Sequence, residues 1–127
     1  MHKNSMAEHN DTGRWGEQKA AEYLERKGIR IVERDWKDGH RDLDIVAIDA
    51  DCLVIVEVKT RRNADLMEPE LAVDARKIRN LSLAAARYVK AKYIEMPVRF
   101  DIVSVTGTNS ENCKINHIED AFLPLAY

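Results

Sequence analysis

The sequence predicts one α/β domain, with a mixed five-stranded sheet flanked by helices in the order α-β-β-β-α-β-β. Five runs show the alternating or continuous apolar pattern of strands, and two longer runs repeat apolar residues at helical spacing. The chain has 127 residues, 45% of them hydrophobic and 33% charged, which is enough for one core and too little for two. We expect residues 1–12 to form a polar tail and residues 13–127 to form the domain.

The first helix is predicted over residues 13–27. Thr12 or Asp11 can cap its start, and Gly28 can end it. Its apolar stripe contains Ala20, Ala21 and Leu24. Glu17 falls on the same stripe, so a carboxylate is predicted to point from this helix towards the sheet.

The next part of the chain is predicted to form three strands, over residues 29–36, 43–49 and 52–59. A polar segment at 37–40 forms the first turn. The turn at 49–51 is so short that the second and third strands must form an antiparallel hairpin.

Charged residues interrupt the two hairpin strands near one end. In the second strand, alternation gives Asp44 the same face as Val46 and Ile48. The opposite face of that strand carries Leu43, Ile45 and Ala47. In the third strand, Glu57 and Lys59 end an apolar row formed by Leu53 and Ile55. Because burying an unpaired charge costs several kcal/mol, such an ending is typical of a cleft, an ion pair or a metal site.

A second, longer helix is predicted from Pro69 to about Lys92. One of its faces is apolar and consists of Ile78, Leu81, Ala85, Tyr88 and Val89. Between residues 74 and 92 it carries six Lys or Arg residues against one Asp. The fourth and fifth strands are predicted over residues 98–105 and 113–118.

The composition limits the classes of function. The formal net charge of -2 and the pI near 6.1 give no general attraction to nucleic acid, so such binding would need a local basic patch. Cys52 and Cys113 lack zinc-site spacing, which predicts a reduced, cytoplasmic protein without a structural zinc. The first twelve residues lack the apolar segment of a signal peptide, and no run is apolar over the length of a membrane span.

The charged end of the hairpin fits a divalent-metal site. Mg²⁺ takes about six oxygen ligands, usually one or two carboxylates with water and substrate phosphate. Asp44 and Glu57 provide carboxylates, and the Val58 carbonyl is a further candidate ligand. Mg²⁺ or Mn²⁺ at this place would acidify a water and polarise a phosphoryl oxygen, as phosphodiester hydrolysis requires. Lys59 could act as general base or stabilise charge on the phosphorus, and Glu17 could extend the site towards a second ion or hold a water.

Basic residues near the acidic pair offer contacts for a polyanion. Arg61 and Arg62 follow shortly after Lys59. On the second helix, a row of cations falls within about 80° of arc, roughly opposite the apolar stripe, and consists of Arg76, Arg79, Arg87 and Lys90. This row fits a phosphate-binding surface and an ordinary solvated face equally well.

Simpler structural roles exist for each of these residues. Glu57 and Lys59 can form an ion pair, and Glu17 can interact with the dipole at the start of its helix. We interpret the remaining prominent side chains as packing or structural residues, rather than as base-stacking or catalytic groups: Trp15, Trp36, Arg99 and Asp101. No role is assigned to His40 and His117.

Asp44 followed by Glu57-Val58-Lys59 resembles the PD-(D/E)xK signature of the restriction-endonuclease-like nucleases. More closely, four blocks resemble the YraN-like family of uncharacterised bacterial proteins; they lie at residues 13–17, 41–47, 56–61 and 99–101. The resemblance extends from residue 13 to about residue 124.

The resemblance implies a fold similar to that of Holliday-junction resolvases and restriction enzymes, with an active site at one end of the sheet. It implies that Asp44 and Glu57 are metal ligands, that Lys59 is the motif lysine and that Glu17 matches the helix-one glutamate of related resolvases. The expected function is hydrolysis of DNA phosphodiester bonds by a metal-dependent endonuclease, selective for DNA structure as in repair or recombination. A resolvase would further require two sites about a two-fold axis, and therefore a homodimer.

Two alternatives remain open at this point. One is a nucleic-acid-binding module that keeps the nuclease fold without catalysis. The other is a protein-interaction domain that uses the basic helix as its contact surface.

Overall fold

A computed structural model describes residues 5–62 and 73–124. The elements along the chain are α1 (Ser5–Arg26), β1 (Arg30–Asp38), β2 (Arg41–Asp49), β3 (Cys52–Arg61), α2 (Ala75–Ala91), β4 (Val98–Thr106) and β5 (Lys114–Ile118). The predicted order α-β-β-β-α-β-β is confirmed, and all strand bounds lie within two residues of the predicted ones. Within the described residues, neither helix combines the length and the apolar character needed to cross a membrane.

The five strands form one sheet in the order β1-β2-β3-β4-β5. Neighbouring strands are antiparallel except for β3 and β4, which run parallel. A parallel pair needs a long crossover, and α2 lies in the connection between β3 and β4. The predicted mixed sheet is therefore confirmed, and α2 starts near the end of the sheet where β3 ends.

The first helix is longer than predicted. It begins at Ser5, so Asp11 and Thr12 lie inside α1 and do not cap its start. Its end follows the prediction, because Gly28 has φ +84° and donates its N–H to the Glu25 carbonyl at 3.0 Å. The Ile29 N–H also reaches back to the Leu24 carbonyl at 3.0 Å. Together these bonds form a glycine-dependent helix stop of the Schellman type.

The second helix begins at Ala75, directly after its N-cap residue Asp74. The Asp74 carboxylate accepts a hydrogen bond from the Lys77 N–H at 2.9 Å, which satisfies one of the open donors of the first turn. The predicted start at Pro69 lies outside the described residues. The helix ends at Ala91, with Lys92 as C-cap residue, as predicted.

The two helices pack on opposite faces of the sheet, and each covers its own core. The α1 side contains Ala20, Ala21 and Leu24 against strand residues that include Ile45, Ala47, Val54, Val56 and Val103. The α2 side contains Leu81, Ala84, Ala85 and Tyr88 against residues that include Leu43, Val46, Leu53, Ile55 and Phe100. Both predicted apolar stripes are confirmed. Trp36 belongs to the α2-side core, where its ring meets the Tyr88 ring edge-on at 5.3 Å between centroids.

Asp101 is a fully buried carboxylate near the middle of β4, and three residues donate hydrogen bonds to it. Arg99 Nε donates at 2.9 Å, His117 Nε2 at 2.7 Å and the Asp120 N–H at 3.0 Å. Burial alone would raise the pKa of Asp101, but the hydrogen bonds from His117, Arg99 and Asp120 hold it below its usual value. The structural interpretation of Arg99 and Asp101 is therefore confirmed.

His117 is part of the same network. The interpretation that this residue has no specific role was therefore wrong. Its side chain is 1% exposed, and its Nδ1 lies 3.1 Å from the Lys27 Nζ at the end of α1. Because an ammonium group can only donate, this contact and the bond to Asp101 assign the tautomer with the proton on Nε2. The network thus ties β4, β5 and the end of α1 together. His40 lies exposed in the turn between β1 and β2.

We predict that Asp101→Asn lowers the free energy of unfolding by about 1–3 kcal/mol at pH 7, because it removes the buried charge shared by Arg99, His117 and the Asp120 N–H, while Arg99 keeps Asp49 at 3.1 Å. The stabilisation from Asp101 should be present above about pH 4 and be lost as the pH falls through the lowered pKa of the folded protein. Urea unfolding at several pH values tests this. Glu25→Gln, at an exposed position on α1, serves as control and should change the unfolding free energy by less than about 0.5 kcal/mol. An Asp101→Asn protein as stable as the wild type at pH 7 would contradict this account.

Candidate metal centre

The hairpin of β1 and β2 places Asp35 opposite Asp44. Arg34 pairs with Ile45 and Trp36 pairs with Leu43, so Asp35 lies across from Asp44 in the same register. Asp35 has φ +50°, in the left-handed region that Asp and Asn adopt more readily than most residues. This conformation interrupts the alternation of β1 and lets the Asp35 carboxylate lie beside that of Asp44.

Asp44 lies where β2 separates from β3. The pairing of these strands ends at Ile45 with Val56, and beyond it the Asp44 Oδ2 accepts the Val58 N–H at 2.9 Å. The side-chain alternation breaks at this point, because Leu43 packs in the α2-side core together with Val46. The prediction that Leu43 shares a face with Ile45 and Ala47 was therefore wrong.

Glu17 approaches the same place from α1. One oxygen each of Glu17, Asp35 and Asp44 can be chosen so that all three lie within 4.8 Å of one another. We call this group the carboxylate trio. Glu17 lies more than three turns inside α1, so an interaction with the dipole at the helix start, considered as its simpler role, is excluded.

Gly16 allows this approach of α1 to the sheet. A Cβ at Gly16 would lie 2.7 Å from Thr60 Cγ2 and 2.8 Å from Thr60 Cβ, and closer still to Thr60 Oγ1. Real Cβ atoms do not come so near to other atoms. The missing side chain at residue 16 therefore sets the distance between α1 and β3, and with it the position of Glu17.

The trio carries negative charge that the described residues do not fully offset. Burial, followed by the negative charge of Glu57, raises the pKa of Asp44 to about 8, and Glu17 adds to the effect. Burial, followed by the charge of Asp35 and a hydrogen bond shared with it, raises the pKa of Glu17 to about 7. Among the described residues, Glu17 Oε1 is buried and has no hydrogen-bond partner. The trio therefore needs protons or a cation near neutral pH.

Glu57 is buried on the α2 side and is paired with two lysines. Its Oε2 lies 3.4 Å from Lys59 Nζ and 3.3 Å from Lys77 Nζ. The ion pair considered for Glu57 and Lys59 is thus present, and Lys77 extends it to α2. Burial alone would lower the pKa of Lys77, but the Glu57 carboxylate holds it above its usual value. Lys77 is therefore an ammonium group at neutral pH.

An open groove of about 370 Å³ lies beside this ion pair and is lined by Lys59, Asp74, Arg76, Lys77 and Asn80. Three of these five side chains are cationic and one is a carboxylate, and two of the cations, Lys59 and Lys77, are paired with Glu57. Of the basic residues predicted to contact nucleic acid, only Arg76 lines this groove; the others lie elsewhere on the described surface.

Those other basic residues are dispersed. Arg79, Arg87 and Lys90 are exposed farther along α2, and Arg87 Nε lies 3.5 Å from Asp38 Oδ2. Arg61 is half-buried at the end of β3, and Arg62 lines a separate cavity on the α1 side. The Val58 N–H donates to Asp44 Oδ2. The role of the Val58 carbonyl oxygen as a metal ligand stays a prediction.

Asp35 and Lys77 were absent from the predicted metal and catalytic group, although the sequence contained a signal for each. A two-residue turn at Gly39 and His40 pairs Asp38 with Arg41, and counting back along this register puts Asp35 opposite Asp44. A crossover helix between parallel strands starts near the end of the first strand, so a cation in its first turn lies close to Glu57.

The sequence was compared with known proteins. The family model described as "Uncharacterised protein family UPF0102" matches residues 16–105, which include Glu17, Asp44, Glu57 and Lys59. The chain belongs to this family. The predicted resemblance to the YraN-like family is thereby confirmed.

The relatives of this UPF0102 chain match over nearly their whole length. A UPF0102 protein of Bacteroides thetaiotaomicron is 51% identical over 119 residues, which cover 94% of this chain and 98% of the relative. A UPF0102 protein of Porphyromonas gingivalis is 49% identical over 118 residues, which cover 92% of this chain and 87% of the relative. One from Flavobacterium psychrophilum is 43% identical over 117 residues, covering 92% and 98%.

We predict that the metal-free protein loses stability as the pH rises from about 5 to about 8. The raised pKa values of Glu17 and Asp44 mean that the folded protein holds protons which the unfolded chain releases in this range. Each group can contribute at most about 1.4 kcal/mol per pH unit. Unfolding by urea in the presence of a chelator measures this slope, and added Mg²⁺ should restore stability at pH 8.

Asp44→Asn should flatten the pH slope and weaken the effect of Mg²⁺. Asp51→Asn, in the exposed turn between β2 and β3, should leave both unchanged. Metal-free stability that rises up to pH 8 would contradict the charge balance described for the trio.

We predict that Gly16→Ala lowers the free energy of unfolding by about 1–3 kcal/mol, because the new Cβ overlaps Thr60. Gly13→Ala is the matched control on the same helix, since a Cβ at Gly13 meets nothing within 4 Å. It should stabilise by about 0.5–1 kcal/mol through helix propensity. Equal effects of the two substitutions in thermal unfolding would show that α1 is not held as closely as described.

Proposed function

We propose that this UPF0102 protein is a divalent-metal-dependent nuclease that hydrolyses phosphodiester bonds in DNA, with a restriction-endonuclease-like fold. The observation that carries the proposal is the convergence of the carboxylate trio with Glu57 and Lys59 at one end of the sheet. Metal-dependent cleavage of a phosphodiester needs carboxylate oxygens for the cation and an amine near the phosphate. Both kinds of group meet here.

The residues fit a Mg²⁺ or Mn²⁺ ion by their chemistry. The trio offers carboxylate oxygens, which these cations prefer, and Glu17 Oε1 is buried without a partner among the described residues. Asp44, Glu17 and Asp35 would hold the ion, and Glu57 would adjoin it on the α2 side. When bound, such an ion supplies an acidified water and stabilises charge on a phosphoryl oxygen.

Two lysines beside Glu57, Lys59 and Lys77, would take part in the reaction. Lys77 is held as an ammonium group by Glu57, so it can donate to a phosphoryl oxygen and cannot serve as the base. Lys59 lies 3.4 Å from the same carboxylate and lines the cationic groove. As general base it would take a proton from the attacking water, and as a charged donor it would stabilise the transition state.

The cationic groove supports a polyanionic substrate at this place. Arg76, Lys77 and Lys59 line it, whereas the chain as a whole has a formal net charge of -2. Attraction is therefore local to the groove, and binding should weaken with salt. Selectivity for branched or flapped DNA belongs to the proposal, as does a homodimer for the resolvase version of it.

The test is cleavage of labelled linear, flapped and four-way-junction DNA with Mg²⁺ or Mn²⁺. Asp44→Asn and Lys59→Ala should each reduce the cleavage rate by at least about 100-fold. Glu25→Gln, an exposed carboxylate on α1, is the control and should cleave like the wild type. Cleavage that survives in both site variants would come from a contaminant or another site, and absence of cleavage with every substrate and metal would reject the nuclease.

A second candidate is a nucleic-acid-binding module without catalysis. It is favoured by one observation, namely that Glu57 is already paired with both Lys59 and Lys77 and needs no cation of its own. This candidate predicts DNA binding with the same affinity in chelator and in Mg²⁺. A protein-interaction domain would bind no nucleic acid under either condition.

A further inference from the structure

A second cavity lies on the α1 side of the sheet, towards the end where β3 ends. It has a volume of about 360 Å³ and is lined by Thr12, Trp15, Arg62, Gly107 and Thr108. These residues come from α1, from the end of β3 and from the turn after β4. Trp15 lies on the helix that carries Glu17, and Arg62 follows the strand that carries Lys59, so the cavity lies towards the same end of the sheet as the centre without sharing its residues.

The turn after β4, which forms one side of this cavity, is held in place by hydrogen bonds. Asn112 Oδ1 accepts the N–H groups of Thr108 and Asn109 at 2.9 and 3.0 Å, and Asn112 Nδ2 donates to Thr108 Oγ1 at 3.0 Å. The Gly107 N–H donates to the Arg61 carbonyl at 2.8 Å, which fixes the turn against the end of β3. Gly107 has φ +134°, and a Cβ there would lie 2.6 Å from the Asn112 carbonyl oxygen.

The lining combines three kinds of group that recognise nucleotides. The Trp15 indole provides an aromatic face for stacking, and the exposed Arg62 guanidinium can bind a phosphate. Thr12 and Thr108 provide hydroxyl groups for hydrogen bonds to base edges. Trp15 also packs in part against the α1-side core, as predicted, and its side chain lines the cavity as well.

The size of the cavity limits the ligand. Its volume of about 360 Å³ is at the small end of the range for ligand pockets and suits one nucleobase with its sugar. A base inside a duplex is stacked on both sides and cannot enter such a cavity. The base must come from a single strand or be turned out of the helix.

We propose that this cavity binds one unpaired nucleobase of a nucleic-acid strand, stacked on Trp15, with an adjacent phosphate on Arg62. The choice of nucleic acid as ligand rests on the proposed function, but binding in the cavity needs neither metal nor cleavage. The cavity would direct the neighbouring carboxylate trio towards DNA that contains a single-stranded segment, such as a flap.

The experiment compares two fluorescent single strands of about 12 nucleotides, one of thymidine and one with abasic sites in place of the bases. Their affinities for the wild-type protein are measured by fluorescence anisotropy in a chelator. Both strands carry the same phosphates, so a base-binding cavity should make the thymidine strand bind at least about 5-fold more tightly. Equal affinity for the two strands, or no binding of either, would overturn the proposal.

Variants of the lining residues test whether a preference for the thymidine strand arises in this cavity. Trp15→Ala should abolish the preference for the thymidine strand, and Trp15→Phe should retain most of it. Arg62→Ala, at an exposed position, should weaken both strands, whereas Arg30→Ala, at the exposed start of β1, is the matched control and should weaken neither by more than about 2-fold. A folded Trp15→Ala protein that keeps the preference would also overturn the proposal. If Trp15→Ala does not fold, Trp15→Phe and the Arg62→Ala and Arg30→Ala pair decide.

The readout separates this proposal from the nuclease itself. Base preference is measured without divalent metal, so it can be present in a protein that cleaves nothing. Conversely, cleavage that requires Asp44 can occur without any base preference, in which case only the cavity proposal fails.

Discussion

Negative charge concentrated at one end of the sheet is the constraint on which the other features of this site depend. Glu17, Asp35 and Asp44 bring carboxylate oxygens within 4.8 Å of one another, and Glu57 lies close enough to Asp44 to affect its pKa. Like charges at such distances in a half-buried environment repel strongly unless cations, protons or N–H groups offset them. Each element around the site contributes a cation, a proton or an N–H group that offsets part of this charge.

The compensation is uneven between the two faces. On the α2 side, Glu57 has two ammonium groups within salt-bridge distance. On the α1 side, Asp44 receives a backbone N–H, and the raised pKa values of Asp44 and Glu17 show that protons supply much of the rest. An external cation therefore gains more at the trio than at Glu57. For the proposed metal ion, this charge balance favours a position nearer to α1 than the Asp44 and Glu57 pair of the motif.

Periodicity in the sequence was enough to predict the strands, the apolar stripes of both helices and the inward direction of Glu17. Each of these features depends on the spacing of apolar residues along the sequence, because burial of apolar side chains is the dominant interaction there. The errors arose where another interaction prevailed. The left-handed conformation of Asp35 and the break in alternation at Asp44 depend on contacts between strands, and the roles of Lys77 and His117 depend on elements distant in sequence.

Three of the four carboxylates lie on β1, β2 and β3, which are joined by turns of two residues each. Such local hairpins close early during folding, because little chain entropy is lost. Lys77 is carried by α2 and can reach Glu57 only after a longer loop has closed. We therefore expect Asp35, Asp44 and Glu57 to meet before Lys77 is in place, so that their repulsion opposes this folding step. The grouped carboxylates are thus expected to slow folding, and protons or a cation in the surrounding solution would lower that barrier.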